Sequence, residues 1–275
     1  MNTKGDIEIE FGASSDVGRV RENNEDSFRV APEINLFVLS DGMGGQSSGE
    51  IASRLASETV IAHCREAAEN PALPFVGTMT EGASEFGSRL ASAFNLANHA
   101  VHQAAESNPA LRGMGTTLVA VVFTDERVSV AHVGDSRVYR LRNGRLELLT
   151  QDHSFIAEQV RQGHMTEQEA QNSNLQNVLL RAIGVDEEVE VDLNEELFAN
   201  DDVLLLCSDG LTKELSDAQI TSVLANVEDA DTAARRLVKL ANDAGGNDNI
   251  TVIVLRNAPR LVGSFGKLGR WFRGS

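Results

Sequence analysis

Two short apolar runs constrain this chain most, because the same triplet, Ser-Asp-Gly, closes each of them. The runs span residues 35–40 and 203–207. An apolar run of this length that ends in a glycine-containing turn is typical of a buried strand. Glycine then lets the backbone turn tightly after the aspartate. We therefore expect Asp41 and Asp209 to lie at the ends of two buried strands, which is a common position for site residues.

The remaining pattern predicts an α+β fold. Segments rich in Val, Ile, Leu and Thr predict further strands, at residues 115–123, 128–133, 137–141 and 250–256. Asp125-Glu126 and Asn143-Gly144 predict hairpin turns and hence antiparallel pairing. Apolar residues at three- and four-residue spacing predict amphipathic helices, at residues 48–68, 83–106 and 229–244. Strands and helices come in separate groups, which favours a layered α+β domain over an alternating parallel sheet. Residues 151–184 are interpreted as a polar, irregular insertion.

Charge and cysteine content exclude some functions. Asp and Glu number 41 against 24 Lys and Arg, giving a formal net charge of −17. Such a chain repels a phosphate backbone, so nucleic acid is not an expected partner. Cys64 and Cys207 are too few for a disulfide framework, and residues 1–12 lack the apolar core of a signal peptide. We expect a soluble, cytoplasmic protein.

Six acidic residues lie at the boundaries of predicted strands: Glu25, Asp26, Asp41, Asp135, Asp209 and Asp248. Hard divalent cations such as Mg²⁺ and Mn²⁺ take oxygen ligands, and an Asp-Gly turn supplies both a carboxylate and a carbonyl oxygen. Any one of these acids, taken alone, could equally be a turn or capping residue. Their combination predicts a metal site.

Seven motifs in a fixed order carry a family resemblance. They span residues 15–18 with 24–27, 40–45, 113–117, 133–137, 152–154, 208–210 and 247–249. Together they resemble the bacterial branch of the type-2C (metal-dependent, PPM-type) serine/threonine protein phosphatases, over roughly residues 7–256. The resemblance implies a four-layer α-β-β-α sandwich of two antiparallel sheets flanked by helices, with two Mn²⁺ or Mg²⁺ ions at one end of the sandwich.

The resemblance also assigns roles to individual residues. Asp41 would bridge both ions, the Gly42 carbonyl would complete the second ion, and Asp209 and Asp248 would bind the first. Glu25 and Asp26 would bind or orient water on the metals, while Asp135 and Asp209 would hold a third, weaker ion. Arg21 would bind the substrate phosphate, although a lone arginine near a strand is also an ordinary surface residue. The resemblance therefore names Arg21, Asp41 and Asp209 as the catalytic residues.

The implied reaction needs no protein nucleophile. Two cations about 3.5 to 4 Å apart share a water, lower its pKa and stabilise in-line attack on phosphorus. Neither Cys64 nor Cys207 has an arginine six residues downstream, and the sequence contains no Gly-x-Ser-x-Gly or P-loop motif. Met43 stands where eukaryotic members have a histidine proton donor, and methionine donates no proton. We expect a metal-bound water to serve as the general acid. His99 and His102 are interpreted as surface or packing residues.

We expect a catalytic domain at residues 1–258, with a substrate-selecting flap at about 154–184, and a tail at residues 259–275. The flap could also be a plain solvated connector. The tail carries four basic residues and no acid. It is expected to be disordered, with docking on the protein's own acidic surface or on an anionic membrane as alternatives.

The expected partners are phosphoproteins, namely a Ser/Thr kinase and its targets, and the expected state is a monomer. A phosphoprotein-binding pseudophosphatase and a small-phosphomonoester hydrolase remain open.

Overall fold

The computed structural model describes residues 8–44, 48–77, 82–124, 127–171, 173, 175 and 177–257. The strands within these residues are β1 Ile9–Asp16, β2 Asp26–Ala31, β3 Leu36–Met43, β4 Gly115–Thr116, β5 Leu118–Thr124, β6 Arg127–Val133, β7 Arg137–Arg142, β8 Arg145–Leu148, β9 Asp192–Leu197, β10 Val203–Cys207 and β11 Ile250–Asn257. The α-helices are α1 Ser48–Glu69, α2 Glu85–Ser107, α3 Phe155–Arg161, α4 Glu167–Gln171, α5 Asp209–Thr212, α6 Asp217–Asn226 and α7 Ala230–Ala244.

The strands form two sheets in which neighbouring strands pair antiparallel. Sheet I has the order β1-β11-β10-β7-β8, and sheet II has the order β2-β3-β5-β6-β9 with β4 beside β3. Side chains alternate between the two faces of each strand. In β3, Phe37 and Leu39 point into the core between the sheets, whereas Leu36 and Val38 pack under the helices. Because both faces are buried, the strand sequence is continuously apolar instead of alternating.

Helices cover the outer face of each sheet. Helices α1 and α2 pack on sheet II, while α6 and α7 pack on sheet I. Sheet I contributes Leu204 and Leu206 to the core between the sheets, and Leu205 to the core beneath α6 and α7. The expected four-layer α-β-β-α sandwich is therefore confirmed. No helix in the described ranges is both long and apolar enough to cross a membrane.

The predicted helices and central strands lie within a few residues of the observed ones. The predicted strand at residues 115–123 is divided at Thr117 into β4 and β5. The hairpin turn at Asn143-Gly144 is confirmed, with φ of 51° and 74°, as a turn that matches strand twist requires. The turn predicted at Asp125-Glu126 and the tail at residues 259–275 lie outside the described residues.

The interpretation of residues 151–184 as an irregular insertion was wrong in part, because the insertion contains α3 and α4. Helix α3 begins after Ser154, whose hydroxyl accepts the Ala157 N–H at 3.2 Å. Ile156 is buried, so local capping and one apolar contact stabilise a helix in a mainly polar segment. The sequence pattern also gave no sign of β1 or β9, whose residues are mostly only partly buried.

Candidate metal centre

The predicted site residues come from strand ends of both sheets. Asp41 lies in β3 directly opposite Asp26, the first residue of β2. Asp209 follows β10, and Asp248 precedes β11, its neighbour in sheet I. Ser208 connects the two groups, because its hydroxyl donates to Asp26 Oδ2 at 2.8 Å. The structure thus gathers carboxylates from two sheets at one end of the sandwich.

Two threonines hold the backbone of Asp41. The Asp41 N–H donates to Thr117 Oγ1 at 3.0 Å, and its carbonyl accepts the Thr116 hydroxyl at 2.7 Å. The Thr117 N–H also donates to the Asp41 carbonyl, at 2.8 Å. The motif at residues 113–117 therefore braces the strand end that carries Asp41. The family resemblance includes this motif, but it predicted no role for the two threonines.

Glycine at residue 42 is required by a close approach of helix α1. A Cβ on Gly42 would lie 2.1 Å from the carbonyl oxygen of Gly49, closer than nonbonded atoms can approach. A Cβ on Gly49 would in turn lie 2.8 Å from Glu25 Cδ. The Gly42 N–H donates to the Glu25 carbonyl at 3.1 Å. This packing holds Glu25 against the strand that carries Asp41.

Asn249 fixes the loop that carries Arg21 and Glu25. Its side-chain amide donates to the carbonyls of Val17 and Asn23 at 3.0 and 2.9 Å, and its Oδ1 accepts the Glu25 N–H at 2.8 Å. All of its side-chain hydrogen-bonding groups are therefore used to join that loop to the start of β11. The neighbouring Asp248 was the only residue of this motif to which the sequence assigned a role.

Arg21 lies at the rim of the acidic cluster with its guanidinium half exposed. It binds Asp248 in a forked pair, with Nε at 2.8 Å from Oδ1 and Nη2 at 3.0 Å from Oδ2. A planar fork of this kind also matches the oxygens of a phosphate group. Arg21 therefore presents a phosphate-compatible group beside the carboxylates.

Asp135 lies in the β6–β7 loop, which two further contacts hold in place. Arg137 makes a bidentate pair with Asp152, at 2.9 and 2.7 Å. The Nδ1 atom of His153 accepts the Gly134 N–H at 3.2 Å, and the backbone N–H of His153 donates to the Gly134 carbonyl at 2.9 Å. The motif at residues 152–154 thus holds the loop that carries Asp135.

A second cluster anchors the end of the insertion, behind that loop. His132, His153 and Asp192 each place one potential ligand atom within 4.8 Å of the others. Arg181 also binds this cluster, donating to Asp192 Oδ1 at 2.7 Å. Burial, His132 and Arg181 lower the pKa of His153 to about 4, so the ring is neutral at neutral pH. Because a guanidinium already holds Asp192, we assign the cluster a structural role.

Burial raises the pKa of the clustered carboxyl groups. Burial is the largest cause, and the charges of Asp209 and other neighbouring acids add to it, so that the pKa values of Asp26 and Asp135 both rise to about 7. The pKa values of Glu25, Asp41 and Asp209 are raised as well, again chiefly by burial. Holding these groups ionised side by side is costly unless a cation compensates them.

Two carboxylate oxygens test whether a metal fits this site. Asp26 Oδ1 and Asp209 Oδ1 are buried and have no hydrogen-bond partner among the described residues. A buried carboxylate oxygen without a donor is costly, and a hard divalent cation takes this kind of ligand. The donor set therefore fits Mg²⁺ or Mn²⁺.

Lys213 is a contact that sequence reasoning missed. Its ammonium lies 2.5 Å from Asp209 Oδ2 and 3.4 Å from Asp248 Oδ2. Burial opposes the charge on Lys213, but the attraction of Asp209 and Asp248 outweighs it and raises the pKa of this ammonium. The i,i+4 spacing of Asp209 and Lys213 is the only signal in the sequence that could have indicated the pair.

Comparison with known proteins identifies the class. The family model described as protein phosphatase 2C matches residues 18–248, and this chain belongs to that family. The chain is 36% identical over 244 residues to the serine/threonine phosphatase stp of Listeria innocua, a match that covers 88% of this chain and 93% of that protein. It is 38% identical over 246 residues to the serine/threonine protein phosphatase PstP of Mycobacterium tuberculosis, covering 90% of this chain and 44% of PstP.

Solved structures agree with this assignment. The crystal structure of Mycobacterium tuberculosis PstP/Ppp matches with a TM-score of 0.79 and 36% identity, covering 90% of this chain and 98% of that one. The catalytic domain of PstP in complex with two manganese ions matches with a TM-score of 0.77 and 37% identity, and the match covers 90% of this chain and 97% of that one. At this identity the likeness extends beyond the fold to the sequence.

Proposed function

We propose that this chain is a metal-dependent phosphatase that hydrolyses phosphoserine and phosphothreonine esters on proteins. The observation that carries the proposal is the cluster of Asp26, Asp41, Asp209 and Asp248, in which two buried carboxylate oxygens have no hydrogen-bond partner in the described part of the chain. The names of the relatives, serine/threonine phosphatases, support the substrate class. A PstP structure with two manganese ions supports a two-ion site.

In this proposal the acidic residues divide into a core and a periphery. Asp41 and the Gly42 carbonyl, with Asp209 and Asp248, hold two Mn²⁺ or Mg²⁺ ions. Glu25 and Asp26 bind or orient water at these ions, and Asp135 joins Asp209 at a third, weaker position. The shared register of Asp26 and Asp41, and the neighbouring positions of β10 and β11, support this division.

When bound, the two cations supply an activated water and offset the charge of the phosphoryl group. Arg21 binds the phosphate oxygens through its guanidinium fork and so orients the ester for attack. Ser208 holds Asp26 from one side. Neither cysteine acts as a nucleophile, because burial raises the pKa of Cys64 and of Cys207 to about 12 and keeps both protonated.

Removal of the metal tests the proposal directly. We expect EDTA followed by desalting to abolish hydrolysis of a phosphothreonine peptide, and added Mn²⁺ or Mg²⁺ to restore it. Circular dichroism before and after chelation controls for unfolding. Full activity in protein shown by elemental analysis to be metal-free would contradict the proposal.

Two kinds of substrate separate the alternatives. A protein phosphatase should hydrolyse phosphopeptides with a higher kcat/KM than para-nitrophenyl phosphate, because peptide contacts add to phosphate binding. A hydrolase of small phosphomonoesters would show the reverse preference. A pseudophosphatase would bind the phosphopeptide without turnover in the presence of Mn²⁺.

We further propose a catalytic domain at residues 1–258, a flap at about 154–184 that selects substrates, and a tail at 259–275 outside the catalytic unit. The proposed partners are a Ser/Thr kinase and its targets, acted on by a monomer. A cytoplasmic location accords with the free thiols of Cys64 and Cys207. A phosphoproteome comparison of cells carrying the wild-type chain and Asp209→Asn would identify the substrates.

A further inference from the structure

Lys213 places a cation of the protein itself on the proposed metal ligands. It caps the short helix α5, and its ammonium contacts carboxylates that lie beside the ends of two neighbouring strands, at 2.5 Å from Asp209 Oδ2 and 3.4 Å from Asp248 Oδ2. The third contact of the ammonium is with Asn177 Oδ1, at 3.0 Å. The side chain is 29% exposed, so it is tethered within the cluster and not extended into solvent.

An ammonium and a divalent cation use the same oxygens in different ways. The ammonium donates hydrogen bonds to the carboxylate, whereas a divalent cation coordinates the oxygen lone pairs directly, at about 2.0 to 2.1 Å for Mg²⁺. Asp209 Oδ2 is already held by Lys213, and Asp248 Oδ2 by Lys213 together with Arg21. Asp209 Oδ1 has no hydrogen-bond partner among the residues that the structure describes. An ion bound through this oxygen would still face the ammonium across a single carboxylate group, and the two like charges would repel.

We propose that Lys213 is a built-in competitor of the divalent cation, which weakens metal binding at Asp209 and Asp248. The inference rests on the proposed assignment of these two residues as metal ligands. Binding of the metal displaces the ammonium from their oxygens. Asn177, in the insertion between β8 and β9, then offers the ammonium a neutral oxygen acceptor at the edge of the site. Lys213 thereby sets the range of metal concentration over which the enzyme is loaded.

Direct metal binding tests this role. Isothermal titration calorimetry would measure the Kd for Mn²⁺ of EDTA-treated full-length chain, in wild type, Lys213→Met, Lys213→Arg and Lys239→Met. Met keeps the length of the side chain and removes its charge, so we expect Lys213→Met to bind Mn²⁺ about tenfold more tightly. Lys213→Arg keeps the charge and should stay within about twofold of wild type. Lys239 is the matched control, because it pairs with Asp243 on the exposed face of α7.

Thermal unfolding gives a second readout. Without metal, Lys213→Met leaves the carboxylates uncompensated, so its melting temperature should fall below that of wild type, and saturating Mn²⁺ should restore more stability to it than to wild type. Lys213→Gln should behave in the same way and serves if the Met variant does not fold. Equal or weaker Mn²⁺ binding in the neutral variants would overturn the proposal.

Asp209→Asn separates this inference from the proposed function. If Asp209→Asn loses Mn²⁺ binding while Lys213→Met matches wild type, only the role of Lys213 is overturned. If Asp209→Asn binds Mn²⁺ as wild type does, the ligand assignment falls and the competition falls with it. Weaker binding in Asp209→Asn together with tighter binding in Lys213→Met supports both.

Discussion

An aspartate flanks strand β10 at each end, and the two carboxylates differ in how their charges are compensated. Asp202 precedes the strand, is 2% exposed, and accepts hydrogen bonds from the Nε and Nη2 atoms of Arg142 and from the Ala199 N–H. Asp209 follows the strand, 17% exposed, with one oxygen on Lys213 and the other buried without a partner among the described residues. Strand β10 and Ser208 are all that separates two opposite solutions to a buried charge.

The difference distinguishes a structural carboxylate from one kept for a ligand. A buried charge is costly unless hydrogen bonds and an opposite charge compensate it. At Asp202 the protein supplies this compensation itself. At Asp209 the compensation is incomplete, because Lys213 pairs with only one oxygen and the charge of Asp248 adds to the cost. We therefore expect substitutions at the Asp202 end to reduce stability, and substitutions at the Asp209 end to reduce activity.

The largest effect is expected at Asp209. Asp209→Asn should lower kcat by about three orders of magnitude or more, because the metal-activated water and its charge stabilisation are lost together. The free energy of unfolding of the EDTA-treated protein should not fall by a comparable amount, since a repelling charge is removed. Steady-state kinetics at fixed Mn²⁺ and urea denaturation would measure the two quantities. Turnover close to wild type without a large excess of metal would remove Asp209 from the site.

Asp202→Asn tests the other end of the strand. We expect a loss of about 2 kcal/mol in the free energy of unfolding, because the buried carboxylate loses its charge-assisted hydrogen bonds from Arg142. The kcat of the folded enzyme should remain near that of wild type. Asp243→Asn is the control, since it breaks an exposed pair with Lys239 and should cost less than about 1 kcal/mol. Urea denaturation that ranks these two variants equally would break the comparison.

Two arginine substitutions sharpen the comparison, because each arginine makes a bidentate pair with one aspartate. Arg21 pairs with Asp248, and Arg142 pairs with Asp202. Arg21→Ala should lower kcat/KM by about 2 to 3 kcal/mol through loss of phosphate binding. It should change stability little, since Arg21 is 49% exposed. Arg142→Ala should lower the free energy of unfolding and leave kcat/KM nearly unchanged. If kcat/KM were unchanged in Arg21→Ala, this arginine would be an ordinary surface residue.

The smallest effect concerns pH. Asp26 and Asp135 have folded-state pKa values of about 7, above the ordinary 3.8. Each group therefore makes its full contribution to the free energy of unfolding of the EDTA-treated protein below about pH 4. This contribution is lost as the pH rises through about 7. Protons also compete with the metal for these carboxylates.

The gain in melting temperature from a fixed free Mn²⁺ concentration should therefore widen between about pH 6 and about pH 8. Differential scanning fluorimetry with and without Mn²⁺ would measure this gain. A gain that shrinks with rising pH would contradict the sign of these shifts.

Local signals in the sequence predicted much of the fold and the positions of the acidic residues. An apolar run closed by Asp-Gly is enough to place Asp209 after a strand and Asp41 near the end of one. The tight turn expected after Asp41 was wrong, because β3 continues through Gly42 to Met43 and pairs there with β4. Residues distant in the chain decided the rest. Nothing local reveals that Asp202 is buried and paired, because its partner is an arginine 60 residues away. The roles of Thr117 and Asn249 likewise depend on contacts across the sheets, which periodicity does not reveal.

The order of strands in sheet I has a consequence for synthesis of the chain. β11 lies between β1 and β10, so the last strand described pairs with the first. Ribosomes release a chain from its N-terminus, and β1 therefore waits unpaired while almost the whole polypeptide is translated. Asp248 and Asn249 emerge immediately before β11. Premature termination before residue 250 would leave two open strand edges prone to aggregation and no assembled catalytic end. We therefore expect phosphate removal to begin only after β11 has been translated.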